Sequence, residues 1–275
     1  MVRRSTNSIL KEIEEERERR AALTRDDLER EYEAVRLSGY DIGLVLTFQA
    51  HLKDSMQIAY HYEVVLKEWK REGMDPDDFE HSFAARRKEG RDFLFPLLDE
   101  RGEFESVHIA YLIAQSFCRE KFCEEEPERE RLTPYLLRYA ALSEPVLRRK
   151  AIIALGWVYA PGRFQEELAC LCDHLLKDED VLCRAWSASA LMQLFFHGAP
   201  AEAIRECALP SLRLCLEKEK DDFVVGVAIE SFQELWGVKL RLSQVAVERR
   251  DHDVIEKARK RALKYVNRSF GVDRP

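Results

Sequence analysis

The chain has 275 residues, of which 46% are hydrophobic and 35% charged, enough apolar material to bury a sizeable core and too much for a largely disordered chain. A net charge of −7 excludes a protein coated for nucleic acid over its whole surface, and no apolar run approaches the ~18 residues that span a bilayer. Glycine (11) and proline (9) are scarce and no clear alternating Val/Ile/Thr/Tyr runs bounded by turn residues appear, so sheet has little support and an all-α fold is expected.

The first twenty residues, MVRRSTNSILKEIEEERERR, lack the apolar centre of a secretory signal. Seven cysteines form no regular framework and read as reduced thiols, so a cytoplasmic location is expected. The stretch ILKEIEEERERRAALTRDDLEREYEAVR carries charges of both signs and few apolar residues, the pattern of a solvated helix at one end of an array. Within it, Thr24 and Asp27 form a capping-box spacing, and the helix they open ends at Gly39, which tolerates positive φ at C′.

Residues 41–73 predict one long helix or two, ending at Gly73. A further helix is expected with Asp75 as N-cap, Pro76 at its first position and Gly90 as terminator. Residues 1–90 form an N-terminal helical region on this reading, and 91–275 a second region of about five helix pairs. These pairs are 91–101 with 104–119, 131–142 with 145–160, 163–177 with 180–197, 200–217 with 221–236, and 240–248 with a basic terminal helix at 251–268. The links are short, as antiparallel neighbours require.

The second helices resemble one another. LRRKAIIALG (147–156) aligns with CRAWSASALM (183–192), placing Arg148 under Arg184, and VVGVAIESFQ (224–233) fits the same frame with Val225 in the arginine's place. The frame steps by 36 and then 41 residues, in or near the range of helical-pair repeats. SEPVLRRKAIIALG and DEDVLCRAWSASAL are similar to the second helix of bacterial HEAT-like repeats, with DDFVVGVAIESF and DHDVIEKARKRAL as degenerate copies. The resemblance covers residues 91–268. It implies a right-handed α-solenoid of antiparallel helix pairs, and in such arrays arginines like Arg148 and Arg184 pair with acidic residues of neighbouring repeats. Glu144, Asp178 and Asp180 are available for that.

The stretch VLCRAWSASALMQLFF (181–196) gathers Cys183, Arg184, Trp186, Ser187 and Ser189, which has the look of a catalytic cluster. A helix so apolar around its circumference is expected to be buried on several sides. Trp186 and Trp157 therefore read as packing residues, and the serines as small spacers, because no histidine with an orienting carboxylate accompanies them.

No other motif carries chemistry. Cys170 and Cys172 point about 200° apart on a helix, Cys118 and Cys123 have no second pair at zinc spacing, and the seven histidines are scattered, so no metal is expected. GYDIG (39–43) is no phosphate cradle, and no other cofactor is implied. Charge is asymmetric: Lys239–Pro275 holds 11 Lys/Arg against 5 Asp/Glu, a surplus of six positive charges that leaves 13 net negative charges on the rest. Lys257, Lys260, Arg261 and Lys264, with Arg268, share one face of the terminal helix.

The expectation is a non-enzymatic scaffold or adaptor that binds a protein partner on its concave face. Arg148, Arg149, Arg184, Lys257, Lys260, Arg261 and Lys264 are its candidate partner-binding residues, and no catalytic residue or membrane contact is expected. The alternative is a nucleic-acid-binding protein. The run from Leu147 to Trp186 is similar to HEAT-like alkylpurine DNA glycosylases, a resemblance that implies a basic cleft with a Trp-Asp pair. Here none of Trp69, Trp157, Trp186 and Trp236 is followed within four residues by Asp.

Overall fold

The computed structural model describes residues 6–71, 77–118 and 126–270. The chain is 80% helix with no strand among the described residues, and it divides into two compact units, residues 1–100 and 101–275.

In the first unit the capping chemistry sets the helix ends. Thr24 and Asp27 close a reciprocal capping box, and Gly39 sits at φ +69° just past the helix it terminates. The helices are α1 (Thr6–Ala21), α2 (Arg25–Leu37), α3 (Ile42–Asp54), α4 (Ile58–Trp69), α5 (Asp77–Ala84) and α6 (Lys88–Leu94). Residues 41–73 thus hold two helices, the first capped by Asp41 through the Gly43 and Leu44 amides. α3 packs against α1, α2, α4 and α5, burying Phe48 and Leu52 with Leu28, Val64 and Phe83. α1 is exposed along most of its length.

Two helix ends differ from expectation. Gly90 lies inside α6, where a Cβ would meet the Phe83 ring at 3.3 Å, so it serves close packing and not termination. The helix expected over 91–101 is instead the end of α6 followed by a 3-10 turn, Phe95–Leu98. Pro96 lacks the N–H that an α-helical turn would use there. Gly73, Asp75, Pro76 and Cys123 lie outside the described residues.

Residues 91–100, expected to pair with 104–119, belong to the first unit, and the second unit begins after them. Its helices are α7 (Glu103–Phe117), α8 (Glu126–Ala140), α9 (Pro145–Leu155), α10 (Phe164–Lys177), α11 (Val181–Phe196), α12 (Ala201–Lys218), α13 (Asp222–Trp236), α14 (Gln244–Glu248) and α15 (His252–Phe270). Glu144, Asp180, Asp221 and Ser243 each cap the helix that follows with a side-chain oxygen. α7, α9, α11, α13 and α15 touch in succession as one row. α8, α10 and α12 form a second row behind, each packed on its own partner α9, α11 or α13. An apolar stripe on each helix is thereby covered from two directions.

Within the first row, α9 and α11 approach closely where small residues meet. A Cβ on Gly156, at the end of α9, would lie 2.7 Å from Ala190 Cα and 2.9 Å from Ala190 Cβ on α11. Backbone cannot yield as a flexible side chain does. Gly156→Ala is expected to cost roughly 1–3 kcal/mol by overpacking, measured as a shift in the urea midpoint. An unchanged midpoint would mean the helices separate freely at that point.

Candidate functional surface

The edge of the two rows is held by a ladder of arginines. Arg148 on α9 donates to both Asp178 oxygens at 2.7 and 2.8 Å and to the Leu142 and Ser143 carbonyls at 2.6 and 3.0 Å. Arg184 on α11 repeats the arrangement with Glu219 at 2.7 Å and the Asp178 and Glu179 carbonyls. Each guanidinium thus satisfies carbonyls at the end of its own pair's first helix and a carboxylate after the next pair's first helix. Burial alone would raise the Asp178 carboxyl. The hydrogen bonds from Arg148, the Asp180 amide and His174 overcome this and hold it at about 2.

The third rung is changed. Val225 replaces the arginine, and Arg259 on α15 reaches back instead, donating to the Leu216 and Glu219 carbonyls at 2.5 and 3.0 Å. Among the acids expected as partners, Asp178 pairs with Arg148, Asp180 lies 3.3 Å from Arg149, and Glu144 caps α9. Arg148 and Arg184 therefore spend their donors inside the fold. Arg149 is half-buried beside Asp180, while Lys257, Lys260, Arg261 and Lys264 are exposed on α15, Arg261 donating to the Leu240 carbonyl at 3.0 Å.

Trp186 corrects the reading of the 181–196 stretch. α11 buries Cys183, Ala185, Ser187, Ala188, Ala190, Leu191 and Leu194, whereas Trp186 is 37% exposed and Phe196 54%. The helix is apolar on its outward stripe as well as its inward one, and periodicity alone does not say which of two apolar stripes faces the core. Ser187 is a buried spacer whose hydroxyl donates to the Cys183 carbonyl at 2.7 Å. Trp157 is half-buried against Tyr111, ring centroids 5.1 Å apart.

Transferring the repeat frame onto the exposed stripe lines up Val146, Leu182 and Phe223 at one level, then Lys150, Trp186 and Val227 at the next. Below them come Ile153, Ser189 and Glu230, all of these positions being half-buried or exposed. Lys150 stands 4.3 Å over the Tyr111 ring and Arg250 5.3 Å over Phe223. Toward the C-terminal end of α13 the face turns acidic. Burial, with Glu248 and Glu234 nearby, raises the Glu230 carboxyl. The stripe is therefore apolar at the N-terminal halves of α9, α11 and α13 apart from Lys150, and negative farther down α13.

Groups with the composition of a catalytic site are tied into structure. Ser82 donates to the Phe79 carbonyl at 2.9 Å. Arg86 Nε donates to His61 Nδ1 at 3.0 Å, so His61 Nε2 carries the proton it gives to Ser82 at 2.8 Å. Burial and the adjacent Arg86 push His61 well below its ordinary value. An imidazole that already donates to the hydroxyl cannot take its proton, so this pair is no nucleophile and base. Burial likewise pushes the Cys170, Cys172, Cys183 and Cys215 thiols up to about 12, which keeps them protonated and unreactive at neutral pH. Among the described residues no group of three or more His, Cys, Asp or Glu is placed to hold a metal ion, and no helix is long and apolar enough to cross a membrane.

These features define an all-helical protein whose second unit presents one apolar-to-acidic face. No family model matches the chain, and no curated protein and no solved structure matches it either.

Proposed function

We propose that the chain is a non-enzymatic scaffold or adaptor. Its second unit serves as a right-handed α-solenoid of HEAT-like pairs, and a protein partner lies along the exposed stripe of α9, α11 and α13. The observation that supports this most is Trp186, a large half-exposed aromatic flanked by Leu182, Val146, Phe223 and Val227 on one face. Aromatic anchors that become buried on binding dominate the energetics of protein interfaces. The acidic residues Glu230, Glu234 and Glu248 beyond the apolar rows suit a partner whose anchor is followed by basic side chains. Arg149 and Lys150 border the site, and Lys257, Lys260, Arg261 and Lys264 add salt-sensitive attraction.

Trp186→Lys tests the reading, since lysine is what α9 carries at the equivalent position 150. Unfolding stability is expected to fall by only about 1–2 kcal/mol, less than for a fully buried tryptophan. A partner captured by the tagged chain from an extract of its own cells after nuclease treatment, then purified, is expected to lose tenfold or more in affinity. Unchanged affinity would overturn the proposal. So would tight duplex binding at physiological salt that disappears on Lys260→Glu, Arg261→Glu and Lys264→Glu together, which would favour a nucleic-acid-binding protein.

A further inference from the structure

A second site lies in the first unit, between α2 and α4. These helices border a cleft of about 570 Å³ whose wall includes Tyr32, Arg36, Tyr60, Lys67, Glu68 and Arg71. Two of these side chains are buried with polar atoms left over. Tyr60 is 1% exposed and Glu68 2%, yet the Tyr60 hydroxyl and Glu68 Oε2 have no hydrogen-bond partner. Glu68 Oε1, by contrast, accepts from both the Tyr32 and Tyr40 hydroxyls, the latter at 3.0 Å. Buried polar groups are almost always satisfied, and two orphans in the wall of one cleft point to something that completes them.

The charges around them are arranged with the same incompleteness. Lys67 Nζ lies 5.6 Å from the Tyr32 ring centroid and 5.7 Å from that of Tyr60, over two aromatic faces and not against a carboxylate. Arg71 stacks over Tyr40 at 4.3 Å, and its guanidinium is 3.9 Å from Glu68 Oε2, too far to hydrogen-bond. Arg36 is paired with Glu33 at 3.1 Å. The cleft therefore offers the Lys67 ammonium at its surface, and behind it in the wall a phenol O–H and a carboxylate oxygen, which a ligand reaches once the side chains around them yield. Burial raises the Tyr60 hydroxyl above its ordinary value, so it remains a donor at neutral pH, and it raises the Glu68 carboxyl too, so that a cation beside Glu68 favours the ionised form.

We propose that this cleft binds a small zwitterion, a carboxylate with a neighbouring ammonium group, of the α-amino acid class. The ligand carboxylate takes the Lys67 ammonium and the Tyr60 hydroxyl. Its ammonium group donates to Glu68 Oε2 beside the faces of Tyr32 and Tyr60. A simple anion satisfies Lys67 and Tyr60 but leaves Glu68 alone, and a simple cation does the reverse. The volume admits a molecule of this size with ample room left for a longer side chain or for water.

The test uses the full chain and three probes at equal millimolar concentration: L-alanine, propionate and ethylamine. L-alanine is expected to raise the thermal midpoint and to give a saturable heat in calorimetry, while propionate and ethylamine give neither. Lys67→Met and Tyr60→Phe are expected to weaken L-alanine binding tenfold or more. Lys53→Met, outside the cleft, leaves it unchanged. Glu68→Gln should do as Lys67→Met does; if it fails to fold, the exposed Lys67 and isosteric Tyr60 variants still decide. No response to L-alanine would mean that water alone completes the cleft. An equal response to propionate would mean a plain anion site. Either result overturns the proposal.

Discussion

Arg148→Ala is expected to lower unfolding stability by about 3–5 kcal/mol, because it removes one partner of a buried pair and leaves the other uncompensated. The Arg148 side chain is 12% exposed and that of Asp178 2%. After truncation the Asp178 carboxylate keeps only His174 and the Asp180 amide, and the Leu142 and Ser143 carbonyls lose their donor. Arg148→Lys recovers part of the loss at most, since an ammonium cannot make the two-pronged contact and reach both carbonyls. A double-mutant cycle with Asp178→Asn measures the coupling directly and should return more than 1 kcal/mol. A loss below about 1 kcal/mol for Arg148→Ala would show that the ladder is ornamental and that burial of the helix stripes alone joins the pairs.

The ladder is partly legible in the amino-acid sequence. The 36-residue step places Arg148 and Arg184 in equivalent positions, and Asp178 stands among the acidic residues nearby. Glu219 occupies the place of Asp178 one 41-residue step later, but the repeat copy that follows it has lost its arginine, so the frame does not mark it. Arg259 is hidden for a different reason. It lies two residues beyond the position that aligns with Arg184, and only the packing of α15 against α12 brings it to the vacated rung. Helix ends fixed by local caps, such as Thr24 with Asp27 and Gly39, are readable because the capping chemistry is contained in a few adjacent residues. The exposure of Trp186 is not, because a helix with two apolar stripes has no internal mark of which one is covered. The cleft of Tyr32, Tyr60 and Glu68 draws α2 against α4 from separate stretches of chain, and no spacing rule joins them.

Glu167→Gln is expected to stabilise the protein at alkaline pH, by roughly 3–5 kcal/mol above pH 8. Glu167 is fully buried on α10, and burial drives its carboxyl up to about 8, with Glu130 adding repulsion and the Thr133 hydroxyl and Ala160 amide restraining the rise. Local geometry agrees with a neutral acid. Thr133 Oγ1 lies 3.0 Å from both the Arg129 carbonyl and Glu167 Oε1, and it has one proton to give. If Thr133 donates to the carbonyl, only a protonated Glu167 can supply the second bond, from its O–H, and glutamine supplies one from its N–H instead. The folded value exceeds the unfolded one, so the native state holds this proton more tightly. Its contribution is complete below about pH 4.5 and is lost as pH rises through 8. Asp178 acts in a separate window: its folded value of about 2 is depressed, so its contribution is present above pH 3.8 and disappears in acid. Urea unfolding of the two proteins from pH 5 to 9 should give curves that are close at pH 5, diverge up to about pH 8 and run parallel beyond it, the glutamine variant above. Curves parallel over the whole range would show that Glu167 is ionised in the folded protein at neutral pH, with its charge neutralised by a group such as Arg129.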